Sequence, residues 1–411
     1  MNPIKIGVVG YGCRGRSITK SVLLKSPLFE VVAVCDEYED RAEQGAADVE
    51  KVYGKAAFSS VDYRDVLAYE GLEAIYVATS WETHVRIAIE TLKKGIPVAV
   101  EVGGAYSVEE LWELVHTQEQ TGTPLMFMEN CCFGKHELLA TSLVRHGVLG
   151  EIVHCHGAYA HYLAEEIAGG EIKRHYRLRN YLTRNCENYP THELGPIAKV
   201  LNINRGNRFL TLTSTASKGV GFALEAENTG RGRVHYNQGD VVTTVIKCAN
   251  GETITMTHSV SLPRPYSRDC RVQGTKGLWL EERNGIFIEG RSKTCEEIDP
   301  AGNPYFEHHW DKVEDYYAEF DHPIWRNNPV IGGHGGMDSL SLKAFFDAVR
   351  KKQQTPIDVY DIAAWMSVTA LSEQSIAMGS MPVAFPDFTN GKWVNRFDRV
   401  DSVWSLDEVI E

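Results

Sequence analysis

The first forty residues constrain the fold most. Ile4 to Gly10 (Ile-Lys-Ile-Gly-Val-Val-Gly) reads as a buried strand that runs directly into Gly10-Tyr-Gly12-Cys-Arg-Gly15. A second apolar strand, Val31 to Cys35, ends on Asp36, 21 residues after Gly15. Each part has a physical task. Gly10 permits the tight turn leaving the strand, Gly12 lets the backbone approach a pyrophosphate, and Gly15 lets the following helix pack close to the sheet. The pyrophosphate then rests on the free N–H groups of the helix N-terminus. An acid at position 36 bonds the ribose 2′-hydroxyl and repels a 2′-phosphate, which favours NAD over NADP. Glycines at this spacing are a weak signal alone; the strand, helix, strand and acid around them make it specific.

The pattern continues to about residue 130. Glu73 to Thr79 reads as a strand, Trp81 to Lys94 as an amphipathic helix closed by Gly95, and Pro97 to Val102 as a strand. Ser107 and Glu110 form a capping box for the next helix, and Pro124 to Asn130 completes the series. Such alternation predicts a doubly wound parallel sheet, an α/β Rossmann arrangement. Ligands of these sheets lie beyond the carboxyl ends of the strands, which marks Asp36, Thr79 to His84, Glu101-Val102 and Glu129-Asn130.

The pattern then changes, which predicts an NAD-binding domain over 1–130 and a substrate-binding α+β domain over 131–411. Glu151 to Tyr162 alternates like a long strand, and residues 163–190 read as a loop over a site. Val241–Val260 reads as a hairpin turned at Asn250-Gly251, and Arg271–Glu289 as another turned at Asn284-Gly285. The second domain is therefore expected to hold an open, mainly antiparallel sheet. Helices are predicted at 337–352 and 358–377, the latter able to pack back on the first domain. Gly332 to Gly336 reads as a flexible loop.

Composition excludes some classes of function. A net charge of −13 argues against a nucleic-acid partner, which needs a basic face. No apolar run reaches the ~18–20 residues of a membrane span. Met-Asn-Pro-Ile-Lys enters the first strand without a signal-like segment, so a cytoplasmic protein is expected. The nine cysteines form no CxxC pair and read as reduced thiols rather than metal ligands. His308-His309 has no companion acids at ligand spacing, so no metal is expected.

The densest polar cluster is Asn188-Tyr-Pro-Thr-His-Glu-Leu-Gly-Pro196. Tyr189 and His192 stand three apart between prolines. His192 suits a general base near neutral pH; the alternative is a cap for a helix starting near Pro196. Tyr159 on the long strand, Arg177 or Arg179 in the presumed loop, and Tyr266 after a hairpin are further candidates. A guanidinium there can orient a hydroxylated substrate by forked hydrogen bonds.

Motifs along nearly the whole chain carry a resemblance: Trp81-Glu-Thr-His84, Glu101-Val102, Glu129-Asn-Cys-Cys132, Gly157-Ala-Tyr159, Tyr189-Pro-Thr-His192, Leu201 to Gly206, Arg264-Pro-Tyr266, Phe320-Asp-His-Pro323 and Gly333 to Asp338. The chain resembles the Gfo/Idh/MocA oxidoreductases and, within them, glycoside hydrolase family 109, NAD-dependent glycosidases first known as α-N-acetylgalactosaminidases. The resemblance implies NAD contacts at Cys13, Arg14, Asp36, Trp81, Glu82, Thr83, His84, Glu101, Val102, Asn130 and Tyr189. It implies substrate contacts at Tyr159, Arg177, Tyr189, Pro190, Thr191, His192 and Tyr266.

Departures from these patterns are informative. Sugar dehydrogenases of the broader family typically carry Glu-Lys-Pro after the fifth strand; here Glu101-Val102-Gly103 lacks the lysine, which argues against a plain dehydrogenase. The acid that the broader family carries near its catalytic histidine is also missing, with Asn188 four residues before His192 and Gly195 three after. Glu193 occupies a place where the glycosidase pattern has glycine, so a carboxylate beside the site would bear on which sugar is accepted.

The expected reaction is redox-neutral hydrolysis. A hydride leaves C3 of the sugar for NAD, the glycosidic oxygen is eliminated across C1–C2, water adds, and the hydride returns. His192 is the expected base at C3, and Tyr159 or Tyr189, or a water held by one of them, the expected base at C2. The alternatives are an NAD-dependent sugar dehydrogenase or 3-oxidase that releases a keto sugar, and a non-catalytic sensor. A homodimer or larger assembly is expected from the open sheet.

Overall fold

The computed structural model describes residues 2–292, 300–302, 310–396 and 400–410. His308-His309 lies outside them. Six strands form the first sheet: β1 (Ile4–Val9), β2 (Phe29–Cys35), β3 (Phe58–Ser60), β4 (Ala74–Val77), β5 (Val98–Val100) and β6 (Leu125–Phe127). All pair in parallel, in the order β3-β2-β1-β4-β5-β6. Residues of β1, β4, β5 and β6 are buried almost without break, because helices cover both faces of a parallel sheet. The order reverses between β1 and β4, and that crevice is where such a sheet takes its ligand.

Local signals set several of these boundaries. The helix Val108–Thr121 starts at a capping box in which the Glu110 amide donates to the Ser107 hydroxyl at 3.2 Å and the Ser107 amide donates to the Glu110 carboxylate at 3.1 Å. The helix Trp81–Lys93 stops just before Gly95, whose φ of +71° a side chain would resist.

The second sheet has nine strands. They are β7 (Ile152–Ala160), β8 (Phe209–Ala216), β9 (Val242–Cys248), β10 (Thr253–Ser259), β11 (Arg271–Gly274), β12 (Gly277–Leu280), β13 (Gly285–Ile288), β14 (Asp311–Lys312) and β15 (Val383–Ala384). Their order is β14-β13-β12-β11-β7-β10-β9-β8-β15, antiparallel throughout except for β7 and β10. The hairpin at Asn250-Gly251 forms as expected, with Gly251 at φ +107°.

Three expectations need correction. Residues 271–289 are three strands rather than one hairpin. Asn284-Gly285 turns β12 into β13, and a second turn at Thr275-Lys276 joins β11 to β12. Residues 163–190 are not a plain loop but contain the short helices Ala164–Ala168, Gly170–Lys173 and Arg177–Thr183. Their polar and aromatic side chains hid the helical period because so few turns occur in a row. Gly332 to Gly336 forms a tight turn in which Gly336, at φ +98°, starts the helix Met337–Lys351.

The helix Val359–Ala377 lies between the sheets. Fourteen of its 19 residues are buried, so it is apolar on nearly every side, as a core helix must be. Its Met366 carbonyl accepts the Ala105 amide at 3.3 Å, and its Ser375 hydroxyl accepts the Ser214 amide of β8 at 2.9 Å. Its N-terminus holds a buried charge cluster. Asp361 takes Lys199 at 2.8 Å and Arg205 at 2.7 Å, Asp358 takes Arg205 at 3.0 Å and also Arg396, and Asp407 takes Arg205 at 2.7 Å. Burial alone would raise Asp358 and Asp407. Arg396 and Arg205 beside the first, and Arg205 and Lys199 beside the second, hold both below the usual carboxylate range.

Removing one member strands the opposite charge in a dry site. Asp361→Ala is expected to cost about 3–5 kcal/mol in urea unfolding, and a loss below ~1 kcal/mol would contradict this view of the cluster. Because Asp358 and Asp407 are lowered on folding, their contribution is complete above the unfolded pKa near ~4 and is lost as pH falls below it.

Candidate active site

A cleft of about 930 Å³ runs along the carboxyl ends of the first sheet and on to the second. At one end lies the glycine turn. Gly10 has φ +95°, and a Cβ there would meet the Ala78 carbonyl at 2.5 Å; a Cβ on Gly15 would meet the Gly10 carbonyl oxygen at 1.9 Å. A Cβ on Gly12 would meet only Arg41, at 3.7 Å, so the folded chain itself leaves space over that backbone. Gly12 also caps the helix Cys13–Ser21 without any side-chain acceptor, which leaves the first-turn amides for an anion.

Asp36 is fixed at the end of β2 by the Tyr11 amide at 2.7 Å and the Tyr38 amide at 3.0 Å. Each carboxylate oxygen keeps a further lone pair for a hydroxyl. These residues fit a dinucleotide with a free 2′-hydroxyl. Arg174, from beyond the long strand β7, reaches across to pair with Asp40 at 2.9 and 2.8 Å and lies over the Tyr38 ring at 4.5 Å. The short helices of 163–183 thus wall one side of the cleft.

Midway, Thr83, His84, Glu101, Val102 and Asn130 line the cleft. Burial drives His84 down to about 4, so it is neutral, with Nε2 against the Thr79 carbonyl at 3.0 Å. Arg14 lines the cleft too, but its guanidinium is occupied: Nε donates to Glu101 at 2.9 Å and the two terminal nitrogens to Asp338 at 3.1 and 2.8 Å. Glu101 also accepts the Tyr76 hydroxyl at 2.6 Å, and Asp338 the Asn130 amide at 2.8 Å. Burial alone would raise Asp338, but His334 and Arg14 hold it well below the usual range. Asp338 escaped sequence reasoning, although it closes the Gly333–Asp338 motif.

Three rings converge at the far end. Tyr159 comes from β7; Tyr189 and His192 come from the start of the helix Thr191–Val200. Their centroids are 4.6 Å apart for Tyr159–Tyr189, 4.8 Å for Tyr189–His192 and 5.7 Å for Tyr159–His192. His192 is in the first turn of this helix, not the cap of one starting at Pro196; Pro196 lies inside it. Tyr189 stacks on Trp81 at 5.3 Å, and Arg177 lies over both rings at 4.9 and 5.1 Å. Arg177 Nη1 donates to the Tyr159 hydroxyl at 3.5 Å. Arg179 turns outward and pairs with Glu82, so Arg177 is the arginine that reaches the cluster.

Other candidates sit off the cleft surface. Trp81 lies beneath it, and Pro190 and Thr191 are buried behind His192. Tyr266 stands near the mouth, 49 % exposed, with its ring 6.4 Å from Tyr159. Glu193 is fully buried against Gly157 of β7, and burial and then Glu187 push its carboxyl well above the usual range. It therefore lies behind the strand rather than facing the cleft.

The carboxylate that His192 meets comes from outside its own segment. Glu129, just beyond β6 and with no exposure to solvent, accepts from His192 Nδ1 at 2.7 Å. The strand-end rule marked Glu129, but nothing in sequence spacing ties it to a histidine 63 residues away. Behind Tyr159 lies a second such pair, Glu187 and His258 at 3.0 Å, with the His258 ring stacked on Tyr159 at 5.9 Å.

The family described as "Oxidoreductase family, NAD-binding Rossmann fold" matches residues 4–128, and "Glycosyl hydrolase 109, C-terminal domain" matches residues 133–395. An α-N-acetylgalactosaminidase of Tannerella forsythia is 37 % identical over 96 % of this chain and 88 % of its own. A glycosyl hydrolase family 109 protein of Parabacteroides distasonis is 35 % identical with the same coverage. Among solved structures, levoglucosan dehydrogenase in complex with NADH and levoglucosan is similar in fold, with a TM-score of 0.69 at 18 % identity over 94 % of this chain and all of that one. A myo-inositol 2-dehydrogenase of Lactobacillus plantarum gives a TM-score of 0.67 at 14 % identity over 93 % of this chain and all of that one.

The glycine turn yields a direct test. Gly15→Ala places a methyl group against the Gly10 carbonyl, so the turn must open and bound dinucleotide is expected to fall by about tenfold or more. Nucleotide released from denatured, purified protein measures this, and undiminished content would refute the assignment.

Proposed function

The chain belongs to the glycosyl hydrolase 109 family, and from that premise we propose that its substrate is an N-acetyl-α-galactosaminide, the sugar that the T. forsythia relative is named for. The protein is an NAD-dependent glycosidase. The observation that supports this site assignment is a single continuous cleft that joins the glycine turn to the Tyr159, Tyr189 and His192 rings. Bound NAD supplies the acceptor for the C3 hydride and the source from which that hydride returns. Every other role falls to side chains. No pair of carboxylates is needed across the glycosidic bond, since NAD-dependent families depart from that arrangement.

His192 takes the C3 hydroxyl proton on Nε2, because Nδ1 is engaged by Glu129. The C3 ketone then acidifies the proton at C2. Of the two tyrosines, Tyr159 is the better base there. Burial raises both phenols, but Arg177 opposes the rise most directly at Tyr159, whose hydroxyl it reaches. A desolvated cation at hydrogen-bond distance is what a tyrosinate requires. Tyr189, stacked on Trp81, is placed to hold the nicotinamide and sugar faces together. Val102 provides no ammonium at the cleft wall, consistent with a cofactor that is reduced and reoxidised on one sugar.

Assembly and compartment are proposals of the same standing. Thr213, Val245 and Thr255 lie side by side on the outer face of the second sheet, which supports pairing with a second copy. Among the described residues all eight cysteines are free and seven are buried, which supports a reducing, cytoplasmic setting.

The test uses p-nitrophenyl N-acetyl-α-galactosaminide with nitrophenol and NADH followed together. A glycosidase releases nitrophenol without net NADH and washes solvent deuterium into C2. Accumulating NADH would instead support a dehydrogenase that releases a keto sugar, and no signal of either kind a sensor. His192→Ala is expected to lower turnover by at least about 100-fold. Arg177→Met is expected to slow deuterium wash-in more than C3 oxidation; equal effects on both steps would remove Tyr159 from the C2 role.

A further inference from the structure

We propose that Glu129 is the positioning residue for His192, and that position 195 is glycine because a side chain there would evict this carboxylate. The inference rests on the NAD-dependent glycosidase reading of the site and adds the group on which its base depends. His192 takes no carboxylate from its own segment: Asn188 and Gly195 occupy the near positions, and the adjacent Glu193 is turned against Gly157 of β7. The acid comes from the other sheet instead. Glu129 Oε1 accepts from His192 Nδ1 at 2.7 Å and from the Cys131 backbone amide at 3.0 Å, which fixes its rotamer.

The empty side-chain position of Gly195 is what admits it. A Cβ on Gly195 would stand 2.9 Å from Glu129 Cγ, 3.1 Å from Cys132 Sγ and 3.1 Å from the Trp365 ring. Contacts this short to a packed ring and a buried carboxylate cannot relax cheaply. Glycine at 195 and glutamate at 129 are two halves of one arrangement.

The chemistry gives the arrangement its purpose. When the C3–H bond sends its hydride to the cofactor, the hydroxyl proton moves to His192 Nε2 and the ring becomes a cation. That proton must stay until the hydride returns to C3 and the alkoxide takes it back. A carboxylate on Nδ1–H stabilises the cation and fixes the tautomer with Nε2 toward the sugar. Burial alone would raise Glu129, but the His192 charge brings it below its ordinary value, so it remains an acceptor. The other titratable groups around His192 are Cys131 beside Nδ1, Tyr159 and His161 at the end of β7, and Tyr189 from its own lead-in, with Arg268 near Cys131 and Glu193 near Glu129.

Glu129→Gln, Gly195→Ala and the double variant test this in the full-length holoenzyme. Wild-type turnover of the nitrophenyl glycoside is measured first, so a wrong substrate class shows as an inactive wild type and not as a variant effect. Glu129→Gln is expected to lower kcat at least about 100-fold with KM within about threefold and NAD content unchanged. Its acid limb of kcat/KM should move to lower pH, because an imidazolium without its carboxylate loses its proton more readily. Gly195→Ala should move both quantities the same way, and the double variant should be no slower than the slower single variant. A kcat within threefold of wild type with an unmoved pH profile in Glu129→Gln would overturn the proposal. Should that variant fail to fold, an unmoved pH profile in Gly195→Ala overturns it equally.

Discussion

The helix Thr191–Val200 is held at both ends, and the site depends on that double attachment. At its first turn His192 meets Glu129 from the parallel sheet. At its last turn Lys199 enters the buried cluster of Asp361 and Asp407, at 2.8 and 3.4 Å. A helix pinned at one end could swing by an ångström about that point, and such an error costs a positioned base much of its effect. Fixed at both, it presents Tyr189 and His192 to Tyr159 at distances that barely admit adjustment. Buried ion pairs are poor sources of net stability, since desolvation offsets most of the Coulombic gain. Their use here is geometric: they join the helix, the core helix Val359–Ala377 and the C-terminal residues into one block.

A second polar network joins the glycine turn to the helix Met337–Lys351. Arg14 spans Glu101 and Asp338, and Asp338 also takes Asn130. Arg14, Glu101 and Asn130, three residues that the family resemblance ties to the cofactor, are therefore joined in one network with Asp338 and are not independent. Arg14 spends its donors on protein carboxylates, so it shapes the glycine turn more than it neutralises a phosphate. The positive end of the cleft for a pyrophosphate is then the helix N-terminus itself.

How far this was legible in the sequence follows from how local each signal is. The glycine turn, Asp36, the capping box at Ser107 and the Asn250-Gly251 hairpin each depend on residues within a few positions of one another, and each stands where the sequence placed it. The convergence of Tyr159, Arg177, Tyr189 and His192 rested on motif resemblance, and the structure brings all four together. What could not be read is the partnership of distant residues. Glu129 with His192, Arg14 with Asp338, and Arg205 with three aspartates more than 150 residues away leave no periodic trace. The short helices of 163–183 failed for a different reason: with one or two turns each, they never complete the apolar repeat that identifies a helix.

The proposed use of a tyrosine for the C2 proton looks costly beside a carboxylate, but the cleft offers a reason for it. A carboxylate near C1 would be attracted to the electron-poor anomeric carbon and would compete with elimination by trapping it. A phenol carries its charge only transiently and otherwise stays neutral among Tyr189, Trp81 and His258. Arg177 lies over the Trp81 and Tyr189 rings, and the nearby Glu166 is paired with His175, so on this proposal the guanidinium would keep its charge available to the developing phenolate. Arg179, two residues on, turns outward and pairs with Glu82, away from Tyr159. On the proposed assignment the aromatic lining would do more than bind a sugar face: it would leave the Arg177 charge beside Tyr159 without a paired carboxylate until the proton moves.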